Sequence, residues 1–226
     1  MKTTLFKIVL SIVIIAILFS YSGCEEPCGE HVLIGDLSLS STSLEFLPYQ
    51  GDEVLVFKGS LGNEVLFNSA RGLQVSTKQL FFETLCFQRL LSSQGTYYNA
   101  ESRSIQFANS DSTITFDLSL EFETFSNDFS NPDSIFIYQS LLIKNISQGS
   151  LMIMTDQEDD FPQSSANQIQ ENFVFLDSLT FFNATYFDVY MDAFQDPAVL
   201  YYNRKFGIVA FTDSQGVRYV LEEIRG

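Results

Sequence analysis

Apolar and polar residues alternate without a break from Ile114 to Glu123. Ile114, Phe116, Leu118, Leu120 and Phe122 alternate with Thr115, Asp117, Ser119, Glu121 and Glu123. A strict period of two makes one dry face and one wet face, whereas helical spacing would scatter the same five apolar residues around a cylinder. A strand wet on one side belongs to an antiparallel sheet. The same reading predicts further strands. The first runs from His31 to Ser41, and Leu44 to Pro48 is a connector. Glu53–Phe57 and Glu64–Phe67 flank a turn over 59–63, and Val75 to Gln88 is a long strand partly apolar on both faces. Tyr97-Tyr98 and Ser104–Phe107 are set apart by a polar break. Ile135–Ile143, Leu151–Met154, Phe173–Phe182, Tyr186–Met191, Leu200–Asn203, Gly207–Phe211 and Val217–Leu221 complete the set. Asn183-Ala184 is a tight turn standing where Asn-Gly is expected. The spacing Phe57, Ser60, Gly62 recurs as Phe211, Ser214, Gly216 and reads as shared hairpin chemistry, not as a duplicated domain.

The expected fold is therefore mostly β, with antiparallel sheets forming a curved sheet, a sandwich or a partial barrel and little helix beyond the leader. Residues 32–226 form one β-rich domain, long enough to bury a real core. The 23 Phe and 10 Tyr suit a thick β core. An aromatic-lined cavity for a lipid or other apolar ligand is the sharper alternative.

The first 23 residues follow a different pattern. Lys2 and Lys7 form a short basic start, an apolar run extends from Ile8 to Phe19, and Ser20-Tyr21-Ser22-Gly23-Cys24 follows. A spanning helix needs about 20 apolar residues and an export leader only about 7–15, so the run reads as a leader. Tyr21-Ser22-Gly23-Cys24 resembles the lipobox of bacterial lipoproteins, with Tyr21 in place of the usual aliphatic residue. The resemblance implies cleavage between Gly23 and Cys24 and a diacylglyceryl group on the Cys24 thiol. Ordinary secretory cleavage after Ser22 is the alternative. Two or three acyl chains hold a protein at a membrane essentially permanently, at about 0.8 kcal/mol per buried CH₂. Residues 24–31 then form the lipidated tether. Glu25 and Glu26 resemble the acidic signal that sends Bacteroidota lipoproteins to the cell surface, and a plain solvated tether is the other reading.

Loss of the leader takes Lys2 and Lys7 and moves the net charge from −16 to −18. Such a chain repels nucleic acid and anionic head groups, so no nucleic-acid partner is expected. With Cys24 acylated, Cys28 and Cys86 are left as a candidate disulfide, closing a loop of about 58 residues and contributing roughly 4 kcal/mol. A buried apolar thiol at Cys86 is the alternative.

The stretches Phe173–Leu179, Tyr186–Tyr190, Tyr201–Ile208 and Phe211–Val217, together with Leu47-Pro48-Tyr49 leading into Val54–Phe57, resemble an uncharacterised family of Bacteroidota outer-membrane and surface lipoproteins. The resemblance implies a lipid-anchored body on the periplasmic or external side of the outer membrane, and it implies no activity. Asp111-Ser112-Thr113, Asp133-Ser134-Ile135 and Asp177-Ser178-Leu179 resemble the short O-glycosylation sites of exported Bacteroidota proteins.

Catalytic chemistry finds little material. The one histidine, His31, sits on the tether, a poor place for a preorganised base. The sequence carries no nucleophile elbow, phosphate loop or zinc spacing. Asp156, Glu158, Asp159 and Asp160 are a candidate calcium set, although they lack the Asp-x-Asp-x-Asp-Gly pattern and a solvated charge run explains them better. No cofactor is expected. The expected role is non-catalytic binding, with an apolar-ligand carrier as the alternative and a carboxylate-dependent hydrolase as the third reading.

Overall fold

The computed structural model describes residues 31–84, 94–126, 135–145, 149–157, 173–192 and 199–226, and only the backbone of 82–84 and 94–95. Its elements are β1 (Val32–Leu37), α1 (Ser41–Leu44), β2 (Val54–Gly59), β3 (Glu64–Ser69), β4 (Gln74–Thr84), β5 (Gln94–Asn109) and β6 (Thr115–Ser126). They continue with β7 (Ile135–Asn145), β8 (Gly149–Gln157), β9 (Phe173–Phe181), β10 (Ala184–Asp192), β11 (Leu200–Asn203), β12 (Gly207–Thr212) and β13 (Arg218–Arg225).

All thirteen strands join one mostly antiparallel sheet in the order β8-β7-β6-β5-β3-β2-β13-β12-β11-β10-β9, with β1 and β4 also on β5. β8 lies against β9 and β10, so the sheet curls into a nearly closed barrel. The alternation over β6 places Phe116, Leu118 and Leu120 inside, as its sequence dictates. β12 is buried along its whole length, because both faces of Gly-Ile-Val-Ala-Phe-Thr meet apolar neighbours.

The barrel is filled. Phe211 lies 5.2 Å from Phe57, 5.6 Å from Phe67 and 5.1 Å from Phe116, ring centre to ring centre, and stacks on Tyr219 at 4.9 Å. Edge-on and offset rings of this kind bury large area and add about 0.5–1.5 kcal/mol per pair. Phe46, Phe57, Phe67, Phe107, Phe116 and Phe211 belong to this core, while Phe81, Phe175, Phe182 and Phe187 are exposed.

Three sequence expectations change. β5 runs through the supposed polar break at Glu101-Ser102-Arg103. This is where β5 exchanges neighbours. Its first half carries β4 on one edge and β1 on the other, and its second half carries β3 and β6. The polar residues are satisfied within the sheet, with Arg103 Nε donating to Glu101 Oε1 at 3.0 Å. Second, β1 is shorter than expected and pairs parallel to β5. Third, part of the expected first strand and connector is a single helical turn. Ser40 caps it by accepting from Ser43 N at 3.1 Å.

Residues 38–53 close the barrel end beside β1 as a plug. Leu39, Phe46, Leu47 and Tyr49 enter the core. Ser43 Oγ meets Thr155 Oγ1 at 2.7 Å, and Ser40 N donates to Gln139 Oε1 at 3.0 Å. The two copies of the Phe-x-x-Ser-x-Gly spacing are equivalent turns, with Gly62 at φ 86° and Gly216 at φ 80°. Each closes on a backbone bond, to Gly59 O at 2.8 Å and to Asp213 O at 3.0 Å.

On the wet face of β6, burial and then the charge of Glu121 hold the Glu123 carboxyl above its ordinary value, and Lys78 and Lys144 offset only part of this. The folded state thus binds this proton more tightly than the unfolded chain does. That contribution is complete below the ordinary 4.5 and is lost as pH rises through the raised value. Glu123→Gln is expected to raise the melting temperature at pH 7 and to lose that advantage below pH 4.5, which melting curves across pH will check.

Candidate functional site

The β9–β10 hairpin forms where the strand pattern places it, but the pattern does not foresee its bend. Its near half, Phe173–Leu176 with Val189–Asp192, continues the barrel, with Phe173 and Tyr190 against the core. Asp188 then adopts φ 53°, a left-handed position that Asp tolerates. The Asn203 side chain holds this bend. Its Nδ2 donates to Phe187 O, while its Oδ1 accepts from Lys205 N at 2.8 Å and Phe206 N at 3.0 Å.

Beyond the bend the hairpin folds back over the outer face of β11–β13. Phe181 and Tyr186 pack there on Tyr201, Val209 and Val220, a second small core. Tyr186 donates to Leu221 O at 2.6 Å, and burial pushes its phenol up. The Arg218 guanidinium lies 5.5 Å from the centre of Phe181 and 5.6 Å from that of Tyr201, a cation over two rings.

At the tip, the turn is Phe182-Asn183 and Ala184 is already in β10, one residue earlier than expected. Phe182 has φ 51°, at the loop position where glycine is preferred. A bulky residue there costs about 1–2 kcal/mol. Its ring is 54% exposed, so packing does not compensate. It borders a groove of about 570 Å³ between the hairpin tip and the β2–β13 pair, also lined by Tyr186, Gly59, Leu221 and Glu222. Strained backbone positions cluster at functional sites and ligand clamps. Phe182→Gly is expected to raise stability by about 1 kcal/mol, read as a higher denaturation midpoint.

A second cleft, of about 600 Å³, lies at the plugged end between Glu45, Phe175, Asp188, Tyr190 and Arg204. It holds two carboxylates, the arrangement a hydrolase needs. Glu45, however, is open to solvent and ion-paired with Arg204, whose guanidinium also lies 5.1 Å from the Phe46 ring centre. A smaller mouth of about 380 Å³ at the opposite end is lined by Asn109, Thr113, Asn145, Asp213 and Gln215.

The residues singled out from sequence fall as follows. Gly23, Cys24, Cys28, Cys86, Glu158, Asp159, Asp160, Asp133 and Ser134 lie outside the described residues. Asp156 is the last residue but one of β8 and accepts from Gln157 N at 2.9 Å. Among the described residues, no three of His, Cys, Asp and Glu gather to hold a metal. His31 is exposed and meets Phe81 edge-on at 5.3 Å. Asp111-Ser112-Thr113 forms the β5–β6 turn. Ser112 there has φ 56°, and Asp111 accepts from Thr113 Oγ1 at 2.7 Å and from Thr113 N at 3.1 Å. The Thr113 bonds hold the Asp111 carboxyl below its ordinary value. Asp177-Ser178-Leu179 is inside β9.

Leu47-Pro48-Tyr49 and the Tyr201–Ile208 stretch are two sides of one joint. Tyr49, from Leu47-Pro48-Tyr49, accepts from Ile208 N at 2.8 Å and donates to Phe206 O at 3.3 Å, inside the Tyr201–Ile208 stretch. Tyr202 donates in return to Phe46 O. Burial pushes both phenols well up. No protein-family model, curated protein or solved structure matches this chain.

Proposed function

We propose that the chain is an exported lipoprotein, held at the outer membrane by acyl chains on Cys24, whose β body serves non-catalytic binding on the periplasmic or external side. The observation that carries the binding role is the folded-back hairpin. It keeps Phe182 strained and exposed at the rim of a groove, with Phe187 exposed behind it. The filled barrel supports the same reading, because its rings pack on one another. A carrier of an apolar ligand is the second reading. Such a ligand has its place in the same outer groove, where Phe181, Phe182 and Tyr186 line one side.

The anchor is tested in cells. The expected result is a membrane-bound protein whose mature N-terminus is an acylated Cys24 by mass spectrometry, with Cys24→Ala shifting it to the soluble fraction. A Cys24→Ala protein that stays in the membrane ends the anchor.

A further inference from the structure

β4 and the first half of β5 extend past the barrel as a ribbon, with β1 along its free edge. Because β1 runs parallel to β5, its first residue, Val32, pairs with Thr96 far out on the ribbon, while Leu37 pairs with Ala100 nearer the barrel. The chain therefore arrives from the anchor side at the ribbon's outer end. The seven residues from Cys24 to Glu30 span at most about 25 Å when fully extended.

That outer end is apolar and open. Leu33, Tyr97 and Phe81 are register partners in a row across the three strands, with His31 edge-on to Phe81 and Phe81 at 5.3 Å from Tyr97. Phe81 is 42% exposed, Leu33 46%, Ile34 50% and Val32 51%. A three-stranded ribbon that leaves these apolar side chains exposed lacks the apolar cover that small sheets need. Tyr and His are amphipathic, with an apolar body and a polar tip, as the boundary between head groups and acyl chains favours.

We infer that the ribbon's outer end, through Val32, Leu33, Ile34, Phe81 and Tyr97, rests in the interfacial layer of the bilayer that holds Cys24. The inference rests on the anchor proposed above. It gives the protein a fixed posture, with the ribbon down and the hairpin groove away from the lipid, on a joint formed by acyl chains and apolar side chains together.

The chain has no Trp, so a single introduced Trp reports alone. Acylated full-length protein carrying Phe81→Trp, Val32→Trp or Phe187→Trp is placed on phosphatidylcholine vesicles, with and without brominated acyl chains. These zwitterionic lipids leave the protein's negative charge without influence. All three proteins are expected to float with the vesicles. Emission from Phe81→Trp and Val32→Trp moves to the blue and is mostly quenched by bromine, and emission from Phe187→Trp is unchanged. Val32→Trp, on the opposite face from Phe81, keeps the test valid if the ring row does not accept the larger side chain. Flotation with no quenching at either ribbon position, or with equal quenching at Phe187→Trp, overturns the inference and leaves the anchor standing. An unacylated Cys24 with no flotation ends both.

Discussion

Phe211→Ala is expected to lose about 3–5 kcal/mol of stability, the cost of emptying a large aromatic site in a packed interior. Four rings close on Phe211, two of them from β2 and β3, one from β6 and one from β13. None can move into the space without giving up its own contacts. Against a total stability of about 5–15 kcal/mol, this one side chain carries a large share. Urea denaturation will show it as a lower midpoint with an unchanged slope, because the surface exposed on unfolding hardly changes. The rings of Phe57, Phe67, Phe116 and Tyr219 face the space left, so benzene or xenon is expected to restore part of the loss. A variant as stable as the parent would mean the rings are not mutually supporting.

Gly207→Ala is expected to be nearly as harmful, by a different route. Gly207 has φ +77°, and a Cβ there would lie 1.9 Å from the Tyr49 hydroxyl oxygen and 2.2 Å from the ring carbon that bears it. The left-handed backbone alone costs alanine about 1–2 kcal/mol. Moving Tyr49 adds more, because the ring is 1% exposed and its hydroxyl is the partner of the buried Ile208 N–H. An orphaned buried donor costs about 1–3 kcal/mol. The sum is about 3 kcal/mol or more. Gly216→Ala is the matched comparison, since Gly216 has φ +80° and nothing within 4 Å of the added Cβ. It is expected to cost only the backbone share. Equal losses at the two glycines would show that Tyr49 makes no seat there.

This joint also explains what sequence could and could not convey. The alternation over β6, the paired runs around 59–63 and the apolar Gly207–Phe211 run each follow from neighbours close along the chain, and the barrel's antiparallel body follows from them. The plug does not. Leu47-Pro48-Tyr49 reads as a connector because proline ends a helix, and nothing local indicates that Tyr49 bonds to Ile208, 159 residues on. β1 is likewise invisible as a parallel strand, since its direction is fixed only by β5. The hairpin lies between these cases. Asn183-Ala184 in place of Asn-Gly is a readable sign of an irregular turn. That Phe182 takes the strained position, and that Tyr186 reaches Leu221, depends on the bend Asn203 holds from another strand.

The direction of β1 has a mechanical meaning. The barrel grips β5 at its far end, while β1 leaves the ribbon at the near one. Tension arriving through the N-terminal chain therefore runs along β1 and loads its hydrogen bonds to β5 in shear, all at once. An antiparallel β1 would enter from the other end and peel away one bond at a time. Side by side, the rungs share the load, and the segment that stoppers the barrel stays put.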